Sequence, residues 1–106
     1  MTDPFAGREL DHVVITDFTV GRSPKTTMIA GQVFISLITQ TGKPNGPSVQ
    51  VTIGADIDPG IRLEDAERRL LESTLGLIRR IGEMDVEELH ASWVQWSKRL
   101  TAHRDG

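Results

Sequence analysis

The chain has 106 residues and a mass of 11.7 kDa, which is enough for one hydrophobic core and too short for a second domain of ordinary size. Hydrophobic residues make up 38% and charged residues 25% of it, and this balance argues against intrinsic disorder. Twelve Lys and Arg against fifteen Asp and Glu give a net charge of −3, which argues against nonspecific coating of nucleic acid.

The compartment is indicated by what the sequence lacks. It contains no cysteine, so disulfides, thiolate nucleophiles and cysteine-based metal sites are excluded, and a reducing compartment is expected. Charged residues at positions 3, 8, 9 and 11 interrupt any apolar core of a signal peptide near Met1. No stretch is apolar enough to span a membrane. The sequence therefore predicts a cytoplasmic protein with no membrane partner.

The first half of the chain predicts three strands after a loose leader over residues 1–8. Residues 9–20 are rich in β-branched side chains and end in a cluster of turn formers, which predicts strand one. Residues 26–40 predict strand two, and the two prolines and two glycines of 41–47 end it in a long hairpin loop. Residues 49–57 alternate apolar and polar positions, which is typical of a strand with one buried face.

A helix is predicted from Arg62 or Leu63 to Ile81, because the hydrophobic period changes there. Apolar residues now recur every seven positions, and further apolar positions widen the stripe to about half of the circumference. Gly82 is typical of a residue just past a helix end. We expect this to be a core helix. The stripe consists of Leu63, Ala66, Leu70, Leu71, Thr74, Leu77, Ile78, Ile81 and Met84.

A second helix is predicted to begin at Val86. Asp85 and Glu88 form a variant of the capping box, with an acidic cap and Glu three residues later. The apolar residues of this helix follow steps of three and four, which is the narrow seam of a helix that packs against one other helix. We expect Trp93, central in the seam, to be a core residue and Trp96 to lie nearer the rim. The seam is Val86, Leu89, Trp93, Trp96 and Leu100.

These elements predict a single α+β domain over residues 1–106. A three-stranded antiparallel meander over residues 9–57 precedes a helical pair over residues 62–103, in the order βββαα.

No catalytic, cofactor-binding or metal site is visible in the sequence. His12, His90 and His103 have no metal-ligand spacing, and no serine lies in a nucleophile-elbow pattern. Thr41-Gly42-Lys43 lacks the earlier glycine that a phosphate-binding loop requires, because Leu37 occupies that position. We therefore expect a protein that is not an enzyme and carries no cofactor. An alternative is a small enzyme or ligand-binding domain in which Glu67 meets His12 or His90 in a pocket.

A nucleic-acid-associated protein is a further alternative. Four arginines form a stripe on the first predicted helix, but acidic residues interleave with them at helical pair spacings. A solvated, self-paired face is the simpler interpretation, so no nucleic-acid partner is expected. The arginines are Arg68, Arg69, Arg79 and Arg80.

The sheet carries more apolar residues than one buried face needs. Both faces of the first two strands carry apolar residues. The two predicted faces of strand two carry Ile29, Val33, Ile35 and Leu37 on one side and Met28, Ala30, Phe34 and Ile38 on the other. Those of strand one carry Leu10, Val14 and Phe18 on one side and Val13 and Ile15 on the other. A helical pair covers one face of such a sheet, and the other face then needs a cover, unless the helices straddle the sheet or the strands twist enough for loops to cover the rest. We expect a protein–protein interaction module whose partner is a second copy of itself. The candidate interface residues are Met28, Phe34, Ile38, Trp96 and Leu100.

Overall fold

Three antiparallel strands precede two helices, which confirms the predicted βββαα order of an α+β fold. The computed structural model describes residues 4–105, with side chains described as far as residue 101. His103, one of the three histidines considered above, therefore lies outside the described side chains. The elements are β1 (Leu10–Arg22), β2 (Thr27–Leu37), β3 (Ser48–Ile57), α1 (Leu63–Gly82) and α2 (Val86–Asp105).

The chain divides into two units. The described residues up to Leu75 form the first unit, which contains the sheet and the beginning of α1. Residues from Gly76 onward form the second unit, which contains the end of α1 and all of α2.

The core of the first unit lies on one face of the sheet. The strands are ordered β1-β2-β3, so that β2 pairs with both neighbours. Register places Ile29 of β2 opposite Ala55 of β3, and Val33 opposite Val51, so the apolar alternation of both strands falls on this face. The beginning of α1 adds the fully buried Leu70. The buried hydrophobic residues are Ile29, Val33, Val51, Ile57, Ala66 and Leu70.

Local signals explain where the helices begin. A turn in which the Ile61 N–H donates to the Asp58 carbonyl oxygen at 3.2 Å delays α1 until Leu63, as expected. Before α2, the Asp85 carboxylate accepts the Glu87 backbone N–H at 3.4 Å, which is the role expected of its cap.

Two irregularities in β1 overturn the predicted faces of that strand. The register shifts between Leu10 and His12 and again between Thr16 and Thr19, where Asp17 has a positive φ of 53°. Each extra residue exchanges the faces of the side chains beyond it. Phe18 therefore packs against the core cluster, and Leu10 pairs with Leu37 on the same face. The prediction that Leu10 and Phe18 share a face with Val14 is wrong.

Only the part of α1 from Ala66 to Thr74 packs in the core. Ala66, Leu70 and Thr74 are buried, and the Thr74 hydroxyl is satisfied by the Leu70 carbonyl oxygen at 2.9 Å. Further along the same stripe, Leu77 and Ile81 are exposed. The expectation of a core helix is therefore wrong for the part of α1 that belongs to the second unit, and also for Leu63 at the start of the stripe, which is 64% exposed.

Replacing Gly76 of α1 by alanine should stabilise the protein. Gly76 is exposed in the helix interior, and a Cβ placed there has no neighbour within 4 Å. Alanine is more favourable than glycine in a helix interior by about 1 kcal/mol, because it loses less backbone entropy on folding. Urea denaturation of Gly76→Ala should show this gain with an unchanged m-value. A loss of stability instead would contradict the open surroundings of Gly76.

Candidate interaction surfaces

The apolar seam of α2 is exposed along its whole length. Trp93 is 60% and Trp96 57% exposed, so the expectation that Trp93 is a core residue is wrong. Val86, Leu89 and Leu100 on the same seam are between 44% and 68% exposed. Two neighbouring tryptophans with aliphatic residues on either side form a continuous apolar strip. We call these five residues the α2 seam.

Charge is segregated toward the two ends of α2. Glu87 and Glu88 lie in its first turn, and Lys98 and Arg99 lie eleven residues further along. Positions 89–97, between these pairs, contain no Asp, Glu, Lys or Arg. α2 therefore has an acidic first turn, then nine residues without these charges, and then the basic pair Lys98 and Arg99.

The second face of the sheet, opposite the core, is more polar than the sequence indicates. With Leu10 and Phe18 on the core face, Val14 remains as the large apolar contribution of β1. Gln32 lies at the centre of this face and accepts a hydrogen bond from Gln50 Nε2 at 2.9 Å. The cross-strand rows, from β1 to β3, are His12–Ser36–Ser48, Val14–Phe34–Gln50, Thr16–Gln32–Thr52, Thr19–Ala30–Gly54 and Gly21–Met28–Asp56.

The sheet residues of the predicted interface are therefore separated from one another. Met28 is 47% exposed, whereas Phe34 is only partly exposed and its ring lies 5.5 Å from that of His12. The polar row that contains Gln32 runs between them. Ile38 follows the last residue of β2, and its N–H donates to the Glu9 carbonyl oxygen at 3.0 Å. This face presents small apolar spots rather than a continuous strip.

Asp11 ties the loop between β2 and β3 to the beginning of β1. Its Oδ2 atom accepts the Asn45 backbone N–H at 3.0 Å, His12 Nδ1–H at 2.9 Å and, at a long 3.5 Å, the Ser36 hydroxyl. The Asn45 hydrogen bond is the largest cause that lowers the pKa of the Asp11 carboxyl, and His12 adds to it.

The Asp11 cluster does not have the geometry of a nucleophilic site. In a catalytic triad the serine hydroxyl donates to the imidazole, which the carboxylate orients. Here the Ser36 hydroxyl points toward the Asp11 carboxylate and the Leu37 carbonyl oxygen, so the imidazole has no serine proton to accept. The arrangement fastens a loop, which was not predicted from the sequence.

The lowered pKa of Asp11 makes a prediction about pH. Because the folded-state pKa lies below the unfolded value of about 3.9, the ionised carboxylate stabilises the fold at neutral pH. This contribution is lost as pH falls through the folded-state pKa. Thermal unfolding between pH 2 and 7 should show Asp11→Asn less stable than the wild type at pH 7, with the difference vanishing near pH 2. Equal stabilities at pH 7 would contradict this role.

A cavity of about 320 Å³ lies beside the beginning of α1, within the first unit. Its walls are mainly apolar, including Phe18, Val20 and Leu63, with Arg22 and Asp58 as charged residues. Glu67 and His12 do not line it, so this cavity does not assemble the acid–base pocket considered as an alternative.

The arginine stripe of α1 is largely self-paired. Arg68 lies 3.8 Å from Glu64, Arg69 3.7 Å from Glu72, and Arg80 3.9 Å from Glu83, all on exposed side chains. Such pairs contribute little to stability, but they offset the positive charge that a phosphate would meet.

Within the described residues, no three His, Asp or Glu side chains form a group suited to a metal ion. Neither α1 nor α2 has an apolar stretch of the length needed to cross a membrane. No protein-family model, no curated protein and no solved structure matches this chain.

Proposed function

We propose that this chain is a small noncatalytic protein–protein interaction module that assembles as a homodimer. The observation that carries the proposal is the exposed α2 seam. Large apolar strips that remain in water are unfavourable and are characteristic of association surfaces. Tryptophan is also enriched among the residues that contribute most to protein–protein binding. A cytoplasmic location belongs to the same proposal, since a chain without cysteine requires no oxidising compartment.

Among the predicted interface residues, Trp96 and Leu100 carry this proposal better than Met28, Phe34 and Ile38. The helix residues belong to a strip without an intervening charge between Leu89 and Ser97. Met28 and Phe34 are separated by the polar row Thr16–Gln32–Thr52, in which Gln32 accepts a hydrogen bond from Gln50 of the neighbouring row. Burial of that polar row against an apolar partner surface would remove water from its amide and hydroxyl groups, which is unfavourable.

Light scattering after size exclusion, over a range of micromolar concentrations, tests the homodimer. We expect a mass of twice 11.7 kDa for the wild type, and the monomer mass for Trp93→Ala/Trp96→Ala. The matched control on the sheet, Met28→Ala/Phe34→Ala, should remain dimeric. Far-UV circular dichroism should show that both variants are folded.

The outcomes distinguish the α2 seam from the second face of the sheet as the dimer interface. A wild type that stays at 11.7 kDa at every concentration would contradict the homodimer. A dimer that is lost in the sheet variant and retained in the tryptophan variant would move the interface to the second face of the sheet.

We expect the affinity of the chain for DNA and RNA to be weaker than micromolar at about 150 mM salt, because the net charge is −3 and the α1 arginines are largely paired. Fluorescence anisotropy with labelled oligonucleotides measures this. The comparison variant is Arg79→Glu/Arg80→Glu. Submicromolar binding by the wild type that this variant abolishes would contradict the prediction and favour a nucleic-acid-associated protein.

A further inference from the structure

From the outer edge of β3 we infer that the first unit binds an extended segment of a partner protein as a fourth strand of its sheet. The inference goes beyond the proposed homodimer, because it gives the chain a second kind of partner. It does not depend on the α2 seam, since every residue concerned lies in the first unit.

The outer edge of β3 presents backbone groups at every second residue. The Leu37 N–H donates to the Pro47 carbonyl oxygen at 2.9 Å, so these two residues form a hydrogen-bonded pair at the end of the β2–β3 ladder. Such pairs alternate along antiparallel strands, and the register therefore gives the hydrogen bonds to β2 to the odd-numbered residues of β3. The N–H and C=O groups of the even-numbered residues point away from β2. These residues are Ser48, Gln50, Thr52, Gly54 and Asp56.

One contact of α1 agrees with this direction. The Ser73 hydroxyl of α1 donates to the Gly54 carbonyl oxygen at 3.0 Å, on the side of β3 away from β2. Among the described residues, no other group bonds to the outward backbone of β3. The edge is therefore occupied by α1 at Gly54 and open from Ser48 to Thr52.

The β3 edge lacks the features that usually prevent strand pairing. Proteins protect exposed edges with bulges, prolines or charged side chains. At the opposite edge of the sheet, β1 has two register shifts and the charged residues Asp11, Asp17 and Arg22. In contrast, β3 pairs with β2 without a register shift, contains no proline and carries a single charge, Asp56, beside its last residue. The sheet is thus protected at one edge and open at the other.

The chemistry of the edge specifies the segment. An extended backbone complements it, because the N–H and C=O groups of such a backbone recur with the same two-residue spacing. On the core face Val49 is 40% exposed, so every second side chain of the segment should be apolar and β-branched. Gln50 and Thr52 are exposed on the second face, where the intervening side chains should be polar and uncharged.

A separate segment fits this edge better than β3 of a second copy. The Ser73 contact shows that α1 reaches the β3 edge. A second copy that continued the sheet with its core on the same face would bring its own α1 to that edge, so two helices would compete for the space above the paired strands. An extended segment has no helix to place there.

Hydrogen exchange of the full chain, followed by nuclear magnetic resonance, tests the edge. In the free protein the outward amides of Gln50 and Thr52 should exchange faster than those of Val51 and Ile53, which donate to β2. The probe is a blocked peptide that alternates threonine and valine between two terminal lysines. At millimolar concentration it should slow exchange at Gln50 and Thr52 at least about tenfold. The same peptide with two central prolines, which donate no hydrogen bonds, should not.

Two substitutions of Thr52 test the backbone contact. Thr52→Pro removes an outward N–H and none of the donors to β2, so it should weaken peptide binding about tenfold or more. Thr52→Val keeps this N–H and should bind as the wild type does. Circular dichroism controls for folding, and the exchange experiment on the wild type decides the inference even if Thr52→Pro does not fold.

The results also separate this inference from the homodimer. Trp93→Ala/Trp96→Ala should bind the peptide as tightly as the wild type, and a monomeric wild type would contradict the homodimer alone. Unchanged exchange at Gln50 and Thr52, or equal effects of both peptides, would overturn the inference. Loss of binding in the tryptophan variant would overturn it by moving the peptide to α2. Slow exchange at Gln50 and Thr52 in the free chain that is lost on dilution would show pairing with a second copy instead.

Discussion

Leu70→Ala should remove a large part of the stability of the first unit. Leu70 is fully buried within the cluster that joins α1 to the sheet. One of its methyl carbons lies over Gly31 of β2, 3.2 Å from the position that a Cβ of residue 31 would occupy. Truncation of a buried leucine leaves a cavity and costs about 2 to 5 kcal/mol. A domain of this size has about 5 to 15 kcal/mol in total.

The matched control is Leu75→Ala, on the same helix but 54% exposed. Chemical denaturation should show a loss below about 1 kcal/mol for this control, because little apolar area leaves contact with the protein. In thermal unfolding the Leu70→Ala midpoint should fall by at least about 8 °C. Equal effects of the two substitutions would mean that the face of α1 turned toward the sheet is wrongly assigned.

The order of the elements could be predicted because each signal is local. The alternation in β3 is visible within the nine residues 49–57, and the cap of α2 within the four residues 85–88. Strand two ends at Leu37 rather than at residue 40, because the chain turns at Thr39, whose carbonyl oxygen accepts the Gly42 N–H at 3.0 Å. The prediction extended the strand beyond Leu37 because Ile38 is apolar. In the structure Ile38 lies outside β2, and its N–H donates to the Glu9 carbonyl oxygen.

The faces of β1 could not be predicted because bulges have a weak sequence signal. Asp17 adopts a positive φ, which aspartate tolerates better than most residues. An aspartate in a strand sequence does not by itself indicate such a bulge. One inserted residue was sufficient to bring Phe18 to the core face. The predicted apolar surplus of the second sheet face was overestimated for this reason.

The role of Asp11 depends on contacts that are distant in the chain. Its hydrogen bond to Asn45 spans 34 residues, and no local pattern indicates it. The α2 seam, by contrast, was visible as a spacing of apolar residues. What the spacing left open was whether these residues are covered within the chain, and the exposure of Trp93 and Trp96 now favours a partner.

Gly46→Ala should disrupt the closure of the loop between β2 and β3. The Gly46 N–H donates to the Leu37 carbonyl oxygen at 3.0 Å, and a Cβ at this position would lie only 2.5 Å from the same oxygen and also against the Ile38 carbonyl group. These atoms are backbone and cannot move aside as a flexible side chain does. Overpacking of this kind costs about 1 to 3 kcal/mol. Denaturation of Gly46→Ala beside Gln40→Ala, an exposed position of the same loop, measures the effect. A loss below about 0.5 kcal/mol in both variants would show that the loop backbone shifts freely enough to accommodate a methyl group.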